Sequence, residues 1–195
     1  MDIPKLNNPH PEELIFRQVI TMRDGARVLL RPLVPGDRQM LMDFFLPVSA
    51  EERRYMRHNI HDPEVVASWA ENVDYDKVFP IIAVVNDRIV GTSTLHFNEG
   101  TARHRAELRI FLAKDFKRRG LGSKLIQAQI EIARKRNIHL LEVQIISDQV
   151  EVIKAMQKVG FKPVCTFEDY FMLPDGELRD VVLLLLRLHK VEDEF

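Results

Sequence analysis

The segment from Ala106 to Ser123, AELRIFLAKDFKRRGLGS, restricts the fold and the ligand of this chain more than any other. Its pattern predicts a strand, a short basic loop, two glycines and the start of a helix. The first amides of a helix have no partner within it and lie at the positive end of the helix dipole. Because Lys117, Arg118, Arg119 and Lys124 surround these amides, the segment predicts a diphosphate-binding site.

Two common nucleotide motifs do not fit this segment. In a GxGxxG pattern, the third glycine would stand at Leu125, and the preceding strand follows a meander rather than opening a βαβ unit. The pattern GxxxxGK[ST] is absent from the sequence. A dinucleotide-binding fold and a P-loop are therefore disfavoured. A simpler interpretation stays open, in which Gly120 and Gly122 only begin a helix beneath solvated charges.

The remaining pattern predicts an α/β domain. Runs of apolar and β-branched residues bounded by turn residues predict strands at 26–33, 79–85, 88–97, 103–112, 140–146, 162–173 and 177–188. Apolar residues at helical spacing predict helices at about 37–44, 49–57, 63–73, 121–136 and 150–159. Asp37 is the expected N-cap of the first helix, and Gly160 is the expected end of the last. We expect a mixed, mostly antiparallel sheet of about seven strands flanked by helices.

Length and composition limit the classes of protein that fit. The 195 residues suffice for one domain, which we place at 21–190, between an irregular extension at 1–20 and an acidic tail at 191–195. A net charge of −1 argues against a globally basic nucleic-acid binder. The single cysteine, Cys165, excludes an intrachain disulfide and a cysteine-built zinc site, and we expect it to be buried. His58 and His61 lack an acid to complete a metal site, so no metal is expected.

The N-terminal sequence contains no apolar core of the kind that signal peptides have. The longest apolar run, Val181 to Leu186, is far shorter than the roughly 20 residues needed to span a bilayer. We therefore expect a cytoplasmic protein that has neither a membrane nor a nucleic acid as its partner.

The glycine segment resembles a known family signature. Residues 117–122, KRRGLG, are similar to the Q/R-x-x-G-x-G/A motif of the GNAT N-acetyltransferases, with Lys117 where Gln or Arg is usual. Residues 149–161 resemble a second block of that family, N-x-x-A-x-x-L-Y-x-x-x-G-F, with Gln149 at the Asn position and Met156 at the Tyr position. The resemblance covers about residues 24–188. The opening segment, residues 23–37, resembles the branch of bacterial protein lysine acetyltransferases.

The resemblance implies the GNAT fold and acetyl-CoA as cosubstrate, bound in a cleft between the strands ending at Leu112 and beginning at Leu140. Backbone around Ile110 and Leu112 would pair with pantetheine, and the Leu112 N–H would stabilise the developing oxyanion. Glu107 matches the position of the family's general base. The implied cofactor-binding residues are Ile110, Phe111, Leu112, Lys117, Arg118, Arg119, Gly120, Leu121, Gly122, Ser123, Gln149 and Met156.

Several functional assignments stay open at this point. Met156 cannot act as the acid that many relatives take from tyrosine, and Tyr170 is a possible substitute. Glu142 is the reserve candidate for the base. The acceptor is expected to be a primary amine, first of all a protein lysine, with a small-molecule amine as the alternative. A non-catalytic acyl-CoA-binding module is the rival from another class. The protein could be a monomer or a homodimer.

Overall fold

The computed structural model describes residues 15–188, which form eight strands in one sheet. The strands are β1 (Gln18–Thr21), β2 (Arg27–Pro32), β3 (Val78–Val85), β4 (Arg88–Phe97), β5 (Arg105–Leu112), β6 (Leu140–Ile146), β7 (Lys162–Met172) and β8 (Leu178–Arg187). Their order across the sheet is β1-β2-β3-β4-β5-β6-β8-β7, and only β5 and β6 pair in parallel. The prediction of a mixed, mostly antiparallel sheet is confirmed, with one strand more than expected.

In the described part of the chain, five α-helices flank the sheet. They are α1 (Arg38–Phe45), α2 (Ala50–Arg53), α3 (Pro63–Glu71), α4 (Leu121–Lys135) and α5 (Val150–Val159). One core cluster contains the buried side chains of α4, including Leu121 and Leu125, and the other contains those of α1 and α3, including Phe45 and Val66. Helices α1, α3 and α4 thus bury their apolar faces in two separate cores. Within residues 15–188, no helix is both long and apolar enough to cross a membrane.

The additional strand is β1, which pairs with β2 through the predicted turn at 23–25. The predicted N-terminal extension over residues 1–20 is therefore wrong for residues 18–20, which belong to the sheet. Ile20 is the only buried residue of this short edge strand, so its alternation is too short to recognise in the sequence. The predictions for residues 1–14 and for the tail at 191–195 lie outside the described residues.

The ends of the helices follow from local chemistry. Ser49 and Asp62 accept hydrogen bonds from backbone amides at the first turns of α2 and α3. Gly160 ends α5 with a φ of +114°, which confirms the predicted helix end. Asp37 precedes α1, but its side chain does not cap that helix. It accepts two hydrogen bonds of 2.6 Å from Arg31 instead, so the predicted capping role is wrong.

Strand β7 forms one edge of the sheet, and nearly all of its residues are exposed. Cys165 is among the exposed residues, which contradicts the prediction that it is buried. The prediction was wrong because it assumed that other residues cover one face of this apolar strand. At this edge, the residues of both alternating faces meet solvent, including Val164, Tyr170 and Met172.

Candidate active site

Strands β5 and β6 separate after a short parallel contact. They pair only where Arg105 to Glu107 face Leu140 to Glu142. Beyond that point, β5 stays with β4 up to Leu112, whereas β6 stays with β8 up to Ile146. A cavity of about 860 Å³ includes this opening, and residues of both strands line it. It lies where the cleft was predicted.

The backbone of β5 offers hydrogen-bond donors to this opening. In an antiparallel pair, successive residues alternate between bonding the partner strand and facing away from it. The Ala113 N–H donates to the Val90 carbonyl of β4 at 3.0 Å, and Arg105 accepts from Asn98 at 3.3 Å. By this alternation, the N–H groups of Ile110 and Leu112 point away from β4 and toward the cleft.

Phe111 differs from its two neighbours. Its N–H points toward β4 by the same alternation, and its ring packs 5.6 Å from Phe44 and 5.7 Å from Phe45 of α1. The side chain lines the cavity but also belongs to the core on the α1 side. Of the three predicted strand residues, only Ile110 and Leu112 therefore direct backbone donors into the cleft.

A second, smaller pocket lies at the N-terminus of α4. It has a volume of about 420 Å³ and is lined by Arg23, Asp24, Arg118, Arg119 and Gly120. Gly120 precedes the first residue of α4 with a φ of +89°, a conformation that side chains other than glycine rarely adopt. Three arginines and the free amides of a helix start thus surround one concavity, as the binding of a diphosphate requires.

Arg23 and Asp24 are pocket residues that the sequence analysis missed. They belong to the turn between β1 and β2, which folds back onto the glycine loop, and Asp24 forms an ion pair with Arg119. The guanidinium of Arg119 also lies 4.2 Å from the centre of the Phe116 ring. Asp24 and Arg119 are 95 positions apart in the chain, so no local sequence pattern could predict their contact in this pocket.

The other predicted residues of the loop take different positions. Lys117 forms an ion pair with Glu52 of α2 and is not among the residues lining the smaller pocket. The side chain of Leu121 is fully buried in the core, so it can offer only its backbone amide. Ser123 is exposed on the first turn of α4. A Cβ at Gly122 would lie 3.5 Å from Leu112 and 3.6 Å from Ile110, which is ordinary packing distance.

Glu107 lies on the face of β5 that carries Arg109, with 13% of its side chain exposed. One carboxylate oxygen is 2.8 Å from Nη2 of Arg57, and the other accepts a hydrogen bond of 2.8 Å from Nη2 of Arg109. Burial works to raise the pKa of Glu107, but the hydrogen bond from Arg109 and the charges of both arginines outweigh it. The pKa therefore lies below its ordinary value, and the carboxylate stays ionised at neutral pH.

Arg57 connects the two separated strands across the opening. It lies in the loop between α2 and α3, and its Nη2 also donates a hydrogen bond of 2.9 Å to Gln144 of β6. The same nitrogen therefore bridges Glu107 on β5 and Gln144 on β6, across the gap between the two strands. Sequence analysis missed this residue, because nothing in the loop sequence marks it as a partner of the sheet.

Two histidines lie near Glu107, a position that the sequence did not predict for either of them. His96 lies directly opposite Glu107 on β4, and burial together with the charge of Arg109 lowers its pKa to about 4. Its Nε2 is 2.9 Å from the Thr94 hydroxyl. His58 lies in the loop beside Arg57, and burial with the same two arginines lowers its pKa too. Both histidines are therefore neutral at pH 7.

The remaining candidates for acid or base chemistry differ in position. Glu142 faces Glu107 in the parallel register and lies 3.6 Å from Arg105. Tyr170 is exposed, stacks on Phe167 at 4.9 Å and is not among the cavity-lining residues. Tyr55 is the tyrosine that lines the cavity, and no pattern in the sequence selects it.

The far side of the cavity is formed by α5. Gln149 immediately precedes this helix and Met156 is buried on it, and both line the cavity as the second sequence block implied. Gly91 of β4 was missed, although a glycine inside a strand often marks a close approach. A Cβ there would lie 2.8 Å from Leu112, so the glycine lets the Leu112 side chain pack beside it.

Within residues 15–188, no group of three or more metal-ligating side chains could hold a metal ion. Of the two histidines considered in the sequence, His58 makes an edge contact with Trp69 at 5.8 Å. The ring of His61 lies 3.4 Å from Arg53. These two rings therefore contact different neighbours.

Comparisons with known proteins agree with this geometry. The sequence model of the acetyltransferase (GNAT) family matches residues 42–161, which is more than half of the chain. Acetyltransferase Pat of Mycolicibacterium smegmatis is 23% identical over 145 residues, which are 72% of this chain and 43% of Pat. The chain thus spans less than half the length of this relative.

Two solved structures share the fold. The GNAT domain of S. lividans PAT superposes with a TM-score of 0.74 at 20% identity, over 88% of this chain and 96% of that one. The protein yncA of Salmonella typhimurium, solved with its cofactor acetyl-CoA, has a TM-score of 0.68 at 16% identity, over 84% and 95% of the two chains. The family match and the shared fold confirm what the glycine segment implied: the chain belongs to the GNAT acetyltransferase family.

Proposed function

We propose that the protein transfers an acetyl group from acetyl-CoA to a primary amine, with a protein lysine as the first candidate for the acceptor. The observation that carries this proposal is the separation of β5 from β6. By the alternation of β5, it leaves the N–H groups of Ile110 and Leu112 directed into the gap between the strands, where Ile110 and Glu107 line the cavity. Backbone donors that can bind a thioester carbonyl thus lie only a few residues from a carboxylate that can accept a proton from an amine.

Two features of the chain fit acetyl-CoA. The pocket of Arg23, Arg118, Arg119 and Gly120 suits its diphosphate, because the arginines and the first amides of α4 supply charge and hydrogen bonds together. The open edge of β5 suits its pantetheine arm, whose amides can extend the sheet as an added strand would. The glycine loop follows β5 directly in the chain, so the two features are continuous.

The proposed reaction is direct transfer while both substrates are bound. The amine nitrogen forms a bond to the thioester carbon, the bond from carbon to sulfur breaks, and the thiolate takes up a proton. The Leu112 N–H stabilises the charge that develops on the carbonyl oxygen, an interaction worth about 2.7–4 kcal/mol per donor in other enzymes. Glu107 accepts the proton that the ammonium must lose.

The lowered pKa of Glu107 bears on this role. A carboxylate held ionised by Arg57 and Arg109 is always ready to accept a proton, but it is a weak base. The proton therefore passes onward to solvent rather than remaining on Glu107. Since 13% of its side chain is exposed, water has access to the carboxylate.

Glu107→Gln tests the assignment of the base. It should lower kcat for amine acetylation by at least about 100-fold, the lower range for general base catalysis, while calorimetric affinity for acetyl-CoA changes little. Glu142→Gln is a matched control, since Glu142 lies next to Glu107 in register and is about as exposed, at 15% against 13%. Equal kcat in both variants, or a loss confined to Glu142→Gln, would contradict the role of Glu107.

One observation favours a second function, a non-catalytic acyl-CoA-binding module. Met156 stands at the position where the family block has tyrosine, and a thioether cannot donate a proton to a leaving thiolate. Such a module would bind acetyl-CoA but acetylate neither proteins nor small amines such as spermidine. If the wild-type protein acetylates an amine catalytically and Glu107→Gln does not, the protein is an enzyme rather than a binding module.

A further inference from the structure

Arg109 has a hydrogen-bond donor that lacks an acceptor. Its Nη2 donates to Glu107, but its Nε is buried, and no atom of residues 15–188 accepts from it. A buried donor without a partner is destabilising, so such groups usually mark the place of a ligand or a water molecule. Arg109 lines the large cavity with 31% of its side chain exposed, so a turn of its guanidinium would bring Nε to an acceptor there.

The charges at this end of the cavity do not balance. Arg57 and Arg109 share one carboxylate, Glu107, which leaves one positive charge over. No other carboxylate of residues 15–188 forms an ion pair with either guanidinium: Glu142 pairs with Arg105, Asp74 of the cavity wall with Lys77, and Asp175 and Glu177 both with Arg54. His58 and His96 add no charge at neutral pH. An ammonium entering alone would meet a site that is positive overall.

We propose that Arg109, together with Arg57, binds a carboxylate that the acceptor carries close to its amine. This inference rests on the proposed function and specifies the substrate class of the same site. A guanidinium binds a carboxylate with fixed geometry and a short, charge-assisted hydrogen bond. The acceptor's carboxylate supplies the missing partner for Nε and neutralises the surplus charge, so its amine can approach Glu107.

The carboxylate can come from two sources with the same chemistry. It can be the α-carboxylate of a free amino acid, or an acidic side chain beside the acceptor lysine of a protein. Two pairs of acceptors distinguish them: free lysine against lysinamide, and the peptide Ac-Gly-Glu-Lys-Glu-Gly-NH2 against Ac-Gly-Gln-Lys-Gln-Gly-NH2. Within each pair only the carboxylates differ, and the pair with the larger ratio of kcat/KM identifies the source.

The experiment compares these ratios in the wild type, Arg109→Gln and Lys77→Gln. Lys77 lines the same cavity, but it is exposed and pairs with Asp74, so its variant removes an equal charge elsewhere. The wild type should prefer the carboxylate-bearing acceptor by about tenfold or more, since hydrogen bonds to charged groups contribute that much. The preference should vanish in Arg109→Gln and persist in Lys77→Gln. A merely structural role of Arg109 would lower both rates and leave the ratio unchanged.

Trp69 provides a readout that does not need turnover. It is the only tryptophan of the chain and lines the cavity, so its fluorescence reports peptide binding. If no acceptor is acetylated although acetyl-CoA binds, the proposed function fails, while tighter binding of the Glu peptide than the Gln peptide still supports the recognition step. Equal rates and equal binding for both peptides would overturn the inference. Arg109→Lys, which keeps the charge but not the fork, replaces Arg109→Gln if that variant does not fold.

Discussion

Replacing Gly120 by alanine separates the role of this residue in the fold from its role in binding. Gly120 has a φ of +89°, and a Cβ added to it would meet no atom within 4 Å. The variant is therefore strained only by its backbone, at a cost of about 1–2 kcal/mol for an L residue in the left-handed region. Gly176, in the hairpin between β7 and β8, is an unusually close control, with a φ of +87° and equally open space.

The two variants should lose similar stability but differ in binding. The open space at Gly120 is part of the 420 Å³ pocket that we assign to the diphosphate, so a methyl group there holds the phosphates away from the amides of α4. Loss of one charge-assisted hydrogen bond, about 1.5–3 kcal/mol, weakens acetyl-CoA binding by roughly tenfold to 100-fold. Gly176 is not among the residues that line this pocket.

Urea unfolding measures the first quantity, and calorimetric titration with acetyl-CoA measures the second. We expect the free energy of unfolding to fall in both variants and the affinity to fall only in Gly120→Ala. An acetyl-CoA Kd that agrees within about twofold between the variants would refute the reasoning. The glycine loop would then be no more than the start of a helix.

Two further predictions concern buried polar groups. His96 has a folded-state pKa of about 4, below the value of 6.5 that we take for the unfolded chain, so stability should fall by about 3 kcal/mol as the pH falls from 6.5 to 4. Urea unfolding of His96→Gln at pH 7 and pH 4.5 should show a smaller loss than the wild type, and an equal loss would contradict this. Gln129 donates to the carbonyls of Phe79 and Ser93 at 3.1 and 2.8 Å, so Gln129→Leu should cost about 0.5–1.5 kcal/mol for each hydrogen bond that is lost. Gln127→Leu, on the exposed face of the same helix, should change the unfolding free energy by less than about 0.5 kcal/mol.

The parts of the fold that the sequence predicted are those with local causes. The glycine at position 160 and the apolar, β-branched runs of β3 to β5 are properties of short segments, so helix ends and strands could be located before any contact was known. The wrong predictions concern features that depend on contacts between distant parts of the chain. Cys165 is exposed because its strand lies at the edge of the sheet, and the place of a strand in a sheet depends on contacts that no short segment encodes.

The residues of the candidate site also fall into two groups, those predicted from the local sequence and those placed by distant contacts. This difference determines which of them need experiment most. The glycine loop was predicted from a pattern within one segment and Glu107 from the family resemblance of that segment, whereas Arg57 reaches Gln144 from 87 positions away. Yet it is Arg57 and Arg109 that keep Glu107 ionised and leave the site positive. A local motif can thus indicate the shared cosubstrate, but the choice of acceptor depends on side chains that converge from distant loops. For this reason we expect substitutions at Arg57 and Arg109 to alter which amines react, and substitutions in the glycine loop to alter only how tightly acetyl-CoA is held.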